Sequence, residues 1–202
     1  LREGILFIVC GPSGVGKTTL CGHLLDAHPT LKLSVSYTTR SPRGSEKDGV
    51  AYHFVTVADF KSMADSDAFA ESAEVHGNHY GTSVEVIQAA WEGGHDVLFD
   101  IDYQGALQLK ARFGDRAVST LIVPPSMTEL ENRLRGRNTD GESVVQRRLA
   151  AARHELEQFP KFDYLIVNDD LESAKSALDA IYEASRYRTV IQSSRVRSLV
   201  SS

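Results

Sequence analysis

Six apolar residues, Ile5 to Cys10 (ILFIVC), run straight into Gly11-Pro12-Ser13-Gly14-Val15-Gly16-Lys17-Thr18, and this junction leaves the chain few ways to fold. A short, continuously apolar run rich in β-branched and aromatic residues reads as a strand buried on both faces of a parallel sheet. Thr18 to Asp26 reads as a helix. The segment between them fits G-x-x-x-x-G-K-[ST], in which glycines let the backbone wrap an anion, successive N–H groups point inward and the helix N-terminus adds its positive end. Lys17 then reaches the terminal phosphates of a nucleotide and the Thr18 hydroxyl ligates Mg²⁺, so that Gly11 to Thr19 form the expected triphosphate-binding segment. The alternative, a glycine-rich turn with a chance lysine, does not call for a strand before the loop and a helix after it.

The rest of the chain repeats the strand-helix alternation with two interruptions. Asp96 to Asp100 (DVLFD), Ser119 to Val123 (STLIV) and Tyr164 to Val167 (YLIV) read as further buried strands; helices follow at about Tyr103 to Phe113 and Leu171 to Tyr187. Such alternation predicts a parallel sheet covered by helices on both faces, with ligands at the carboxyl ends of the strands, where the phosphate loop and Asp100 meet. The first interruption, residues 32–83, carries short alternating segments between turn residues and predicts a small mixed β insertion. The second, residues 126–159, is helical and rich in arginine, and its break at Gly136 to Gly141 divides two helices, the second capped by Asp140 or Ser143. The core is thus expected from residues 1–31, 84–125 and 160–202, with a tail after Arg186 that reads as a fraying helix end.

Composition narrows the class. At 202 residues the chain is long enough for one core with small insertions, and its formal charge of −5 argues against general nucleic-acid binding. No stretch approaches the ~20 apolar residues of a membrane span, and no charged start with an apolar signal core is visible. Cys10 and Cys21 read as free, buried thiols, so the expected location is the cytoplasm. His76 and His79 are three residues apart, but no cysteine, aspartate or third histidine nearby completes a zinc set.

In Thr38-Thr39-Arg40-Ser41-Pro42-Arg43, two arginines flank a turn and Tyr52 follows at the start of a strand. Guanidinium forks match phosphate oxygens bidentately, so this is either a second anion site or a solvated surface loop. The residues around it resemble the guanylate kinase family. Thr38 to Val55 (TTRSPRGSEKDGVAYHFV) is similar to that family's signature segment. Glu71, Val75 to Thr82 (VHGNHYGT), Asp100-Ile101-Asp102 with Gln104-Gly105, Arg133 to Arg137 (RLRGR), Arg147-Arg148-Leu149 and Ile166 to Asp170 (IVNDD) match in order and spacing.

The resemblance implies an α/β P-loop kinase: a parallel sheet core flanked by helices, a nucleotide-monophosphate-binding insertion and a helical lid. It implies the reaction ATP + GMP giving ADP + GDP; whether dGMP is a comparable acceptor is not legible. Ser36, Arg40, Arg43 and Tyr52 would hold the GMP phosphate, Glu71, Tyr80 and Thr82 would line the base pocket, and Asp100 and Asp102 would lie beside the acceptor. Guanine presents N1–H and N2–H₂ donors that one carboxylate can accept together, whereas adenine does not. Sites built on such bonds reject the wrong ligand by roughly 10⁴ or more.

The acceptor is itself a phosphate with a second pKa of ~6, so near neutral pH it needs no general base. Catalysis then rests on alignment and charge neutralisation, for which Lys17 and Arg40 are expected alongside Arg133, Arg137 and Arg148 from the lid. Arg137 and Arg148 would also reach the acceptor side. Mg²⁺, the expected cofactor, would be held through Thr18, with Asp100 orienting its water, and Asn168 would lie near the ATP base. A peptide- or phosphopeptide-binding module of the same fold, a small GTPase or other hydrolase, and a kinase for another monophosphate or a phosphorylated sugar remain as rival readings. The chain gives no sign of a nucleic-acid or membrane partner, and its oligomeric state is not legible.

Overall fold

The structure, a computed structural model, describes residues 3–75, 77–136 and 141–201. At its centre is a five-stranded parallel sheet built from β1 (Leu6–Cys10), β2 (Leu31–Leu33), β7 (Asp96–Asp100), β8 (Ala117–Val123) and β9 (Tyr164–Val167), in the order β2-β7-β1-β8-β9. β1 is the middle strand, and its alternate residues feed two separate cores. Phe7 and Val9 join Leu20, Leu24 and Tyr182 beneath helices α1 (Lys17–Ala27) and α7 (Leu171–Arg186). Leu6, Ile8 and Cys10 join Ile87, Phe99 and Leu109 beneath α3 (Val84–Glu92) and α4 (Tyr103–Phe113). Burial on both faces is why the strand is apolar without a break.

The insertion is a mixed sheet, ordered β4-β3-β6-β5, from β3 (Tyr37–Thr38), β4 (His53–Phe54), β5 (Phe69–Val75) and β6 (Asn78–Ser83). It also carries a helix, α2 (Val57–Asp65), capped by the Thr56 hydroxyl, which accepts from Asp59 N at 3.1 Å. The aromatic ring of Phe60 on α2 stacks on Phe69 and on His79. The segment expected to form a lid is a helix pair, α5 (Met127–Gly136) and α6 (Glu142–Leu156), with a small core of its own from Leu130, Leu134, Val145, Leu149 and Ala152.

Three expectations need correction. β2 pairs with β7 in the core sheet, so the core runs past residue 31 to Leu33 before the insertion begins. The tail is not a fraying end but a separate helix, α8 (Thr189–Val200), anchored by buried Ile191 and by Arg188, which donates to the Asp115 carbonyl at 3.0 Å. Ser143 does not cap α6; the cap position is Gly141, without a side-chain bond, and Asp140 lies outside the described residues. Arg135 supplies the missing order by bridging Glu131 on α5 and Glu142 on α6. Both cysteines are free and buried, and no described helix is long and apolar enough to cross a membrane.

Candidate active site

The phosphate loop leaves the C-terminal end of β1 and enters α1 through three glycines with positive φ: Gly11 at 147°, Gly14 at 91° and Gly16 at 101°. Only glycine adopts such angles without strain. Gly16 is also pinned from behind, because a Cβ there would lie 2.5 Å from Asn168 Nδ2. Asn168 is buried, and its amide donates to the Val15 carbonyl at 2.7 Å while its own N–H donates to the Val123 carbonyl at 2.9 Å. The sequence suggested a place for Asn168 beside the ATP base; in the structure its side chain braces the back of the phosphate loop. Arg133 follows it there. Its Nη2 donates to the Asn168 carbonyl at 3.1 Å and its Nε to Glu129 at 2.8 Å, so this lid arginine is turned to the loop's support and not to the cleft.

In front of the loop, a cleft of about 400 Å³ is lined by Gly11 to Gly14, Gly16 to Thr19, Ser36, Tyr52, Glu71, Tyr80, Asp100 and Asp102. That size suits a small-molecule ligand. Lys17 folds back so that Nζ donates to the Gly11 carbonyl, and Thr18 is exposed on the first turn of α1. Ser36, Thr82 and Glu71 meet only because β3, β6 and β5 pair: Glu71 is the register partner of Thr82, and Thr82 Oγ1 lies 3.0 Å from Ser36 Oγ. Asp102 caps α4, its Oδ1 accepting from Gln104 N at 2.9 Å and Gly105 N at 3.0 Å.

Two of the expected phosphate ligands sit at the rim. Arg40 is 9% exposed and already engaged: Nη1 and Nη2 each donate to the Glu46 carboxylate at 3.0 Å, and Nη1 also donates to the Ser41 carbonyl at 2.8 Å. Its guanidinium lies over the Tyr52 ring, 5.4 Å from the centroid, which keeps its outer edge beside the cleft phenols. Arg43 has an exposed side chain and lends its backbone N–H to Glu46 at 2.8 Å. Arg148 reaches the loop from α6, its Nη1 3.4 Å from Ser13 Oγ. Arg137 lies outside the described residues, as does His76; His79 is stacked on Phe60.

The cleft perturbs its acids. Burial raises the Glu71 carboxyl to about 7, against the pull of the Thr82 hydroxyl and amide. Asp100 opens onto the cleft, yet the walls crowd it; lost hydration raises its pKa and Lys17 lowers it. Burial also raises the Tyr52 phenol, with Tyr80 adding to the effect and Arg40 opposing it. Such clustering of perturbed groups in one cleft is characteristic of sites that do chemistry.

The guanylate kinase family profile matches residues 4–185. The chain belongs to the guanylate kinase family. The curated guanylate kinase of Aromatoleum aromaticum is 50% identical over 192 residues, covering 95% of this chain and 94% of its own. That of Nitratidesulfovibrio vulgaris is 53% identical over 181 residues, covering 90% of this chain and 87% of its own. A crystal structure of guanylate kinase from Anaplasma phagocytophilum aligns with a TM-score of 0.78 at 32% identity, covering 94% of this chain and 90% of that one. A gluconokinase from Sinorhizobium meliloti aligns over 92% of this chain with a TM-score of 0.52 at 13% identity, which shows a shared fold alone. As a member of the guanylate kinase family the protein is a kinase, and the small-GTPase, interaction-module and sugar-kinase readings fall away.

Membership of the guanylate kinase family does not by itself reveal three contributors that the residue reading passed over. Glu46, noted only as part of the signature segment, sets the orientation of Arg40. Glu155, an unremarkable helical carboxylate in sequence, projects from α6 into the cleft, where burial raises its pKa and Lys17 lowers it. Ser34 joins the hydroxyl cluster, its Oγ 3.4 Å from Thr82 Oγ1. No spacing rule in the sequence signals any of these positions.

Proposed function

We propose that this cleft transfers the terminal phosphate of ATP to GMP, giving ADP and GDP, with the phosphate loop on the donor and the small sheet on the acceptor. The observation that carries this reading is that one cleft is lined both by the loop from Gly11 to Thr19 and by Ser36, Tyr52, Glu71 and Tyr80 of the insertion. On this reading two anion sites face each other across it.

On the acceptor side, Glu71 accepts from guanine N1–H and N2–H₂ while Ser36 and Thr82 offer a hydroxyl to O6. Arg40, Arg43 and Tyr52 hold the phosphate, Arg40 presenting the edge that Glu46 leaves to it, and Tyr80 lines the base pocket. On the donor side, backbone N–H groups of the loop cradle the β- and γ-phosphates, Lys17 exchanges the Gly11 carbonyl for phosphate oxygen, and Arg148 closes from the lid. Arg133 acts on the donor through Asn168 and the loop, and Arg137 completes the lid's charge. A phosphate oxygen of GMP attacks the γ-phosphorus in line, and the β–γ bridging oxygen leaves with ADP. With a second pKa of ~6 the attacking phosphate has already shed its proton at neutral pH, so alignment and charge neutralisation do the work.

Mg²⁺ suits the donor set. Thr18 offers an exposed hydroxyl on the first turn of α1, Asp100 a carboxylate in the same cleft, and a small hard cation that keeps several waters needs few protein ligands. When bound it supplies charge compensation for the triphosphate. Residues 32–83 and 126–159 serve as acceptor domain and lid on this reading, and the two free thiols suit a cytoplasmic setting.

A coupled assay of ADP formation with ATP and GMP, dGMP, AMP, UMP, dTMP or no acceptor tests the assignment. Turnover with GMP that exceeds AMP by several orders of magnitude is expected. Equal ADP formation without an acceptor would overturn it.

A further inference from the structure

Gly105 stands in the first turn of α4, where its φ lies outside the left-handed region and the fold places no torsional demand on it. Glycine is the least favourable residue after proline for a helix, so its use here calls for another cause. The cause is a side chain. A Cβ on Gly105 would lie 2.7 Å from Glu71 Oε2 and 3.3 Å from its Cδ, closer than a carbon approaches in a relaxed structure. The Glu71 carboxylate, 4% exposed, is therefore confined between Thr82 and the bare Cα of Gly105.

The helix cannot retreat to make room. One residue past Glu71, Ser72 N donates to Gln108 Oε1 at 3.0 Å and Gln108 Nε2 donates to the Ser72 carbonyl at 2.8 Å. Arg112, a turn further along α4, donates to the Phe69 carbonyl at 2.9 Å. These bonds tie α4 to β5 on either side of Glu71 along the strand, and hold the helix one and two turns beyond Gly105. The same Cβ would lie 3.1 Å from Ile101 Cδ1, so an added atom at position 105 presses on Ile101 as well and meets its hardest contact at the Glu71 carboxylate.

We infer that Gly105 is a specificity-determining position for the acceptor base: it touches no nucleotide, and it fixes where the Glu71 carboxylate meets the guanine edge. The inference rests on the reading that Glu71 recognises guanine. Gly105→Ala gains helix propensity against the cost of displacing Glu71, so the variant folds with a melting temperature close to that of the parent. Its KM for GMP rises tenfold or more, the KM for ATP and the residual rate with AMP stay within twofold, and the GMP-to-AMP ratio of kcat/KM falls accordingly. Shortening the acid restores the space, so in the Glu71→Asp background the added Gly105→Ala change costs less than twofold.

Glu71→Gln separates the two claims. If it leaves base selectivity unchanged, the guanine reading fails and this inference with it. If Glu71→Gln destroys selectivity while Gly105→Ala preserves it, the inference alone is overturned. It is equally overturned if Gly105→Ala lowers the melting temperature and weakens ATP and GMP alike, or if its effect multiplies in full with that of Glu71→Asp.

Discussion

On the proposed reading Glu71 combines a pKa of about 7 with a task that requires its anion, which would make the acceptor site sensitive to pH around neutrality. Its folded value stands above the ordinary 4.5, so between these limits the native state holds a proton that the unfolded chain has released. Stability therefore falls as pH rises from about 4.5 through 7, by at most ~3 kcal/mol at 1.36 kcal/mol per decade. Guanine donors favour the carboxylate, so below neutrality GMP binding must expel that proton, and affinity falls towards tenfold per pH unit well below 7. Glu71→Gln should raise the melting temperature at pH 8 and flatten the acid limb of GMP binding. Calorimetry in buffers of different ionisation enthalpy counts the protons released; the titration of the GMP phosphate is common to both proteins, so an unchanged count would remove Glu71 from the base site. Lys17 carries the other prediction at this scale. Lys17→Ala should lower turnover by ~10²-fold or more, the loss typical of removing one group that stabilises charge in the transition state, and leave the Kd for GMP within a few-fold. Turnover close to the parent's would show that the transferring phosphoryl group depends on other cations.

Elements explain which parts of this site could be read in advance. The phosphate loop was legible because all its determinants are consecutive, and the strand before it because burial on both faces leaves an unbroken apolar run. β2 escaped notice because three residues, two of them exposed, carry no pattern. The proposed base pocket was suggested only by family resemblance, since Ser36, Glu71 and Thr82 come together by a strand register that periodicity does not encode. Asn168 shows the limit most clearly: its place after β9 announced a ligand-side loop, but the space behind Gly16 drew its amide inward. Substitution there should register in the absence of nucleotide. Asn168→Asp replaces a donor to the Val15 carbonyl by a buried acceptor, and unfolding in urea should show a loss of ~1–3 kcal/mol. The KM for ATP should rise with the loosened loop while GMP affinity holds. An apo protein as stable as the parent would mean that the brace contributes nothing and that Asn168 acts on the nucleotide directly.

For the molecule as a whole, the proposed lid has a core of its own and meets the phosphate loop and its support through Leu130 and Leu134 beside Gly14 and through Arg133 at the Asn168 carbonyl. Leu130, Leu134, Val145, Leu149 and Ala152 hold α5 to α6, so the pair can shift as a unit without exposing either main core. Around the cleft, α6 meets the remainder through Arg148 at Ser13 and through His154, whose Nε2 lies 3.1 Å from the Tyr103 hydroxyl. Between these contacts Glu155 enters the cleft near Lys17, the proposed place of the triphosphate, so on that reading donor and carboxylate compete for the same cation. A nucleotide wins that competition with several charges against one, and the lid must rearrange as it does so. Because a kinase that left ATP open to water would waste it, rearrangement should end in closure only when GMP is also present. Small-angle scattering should give a smaller radius of gyration with GMP and a non-hydrolysable ATP analogue together than for the free protein. Glu155→Gln, which removes the competing charge, should tighten ATP-analogue binding without altering GMP binding. Equal radii for free and doubly bound protein would show that the lid does not close, and an unchanged analogue affinity in the variant would show that Glu155 does not contest the donor site.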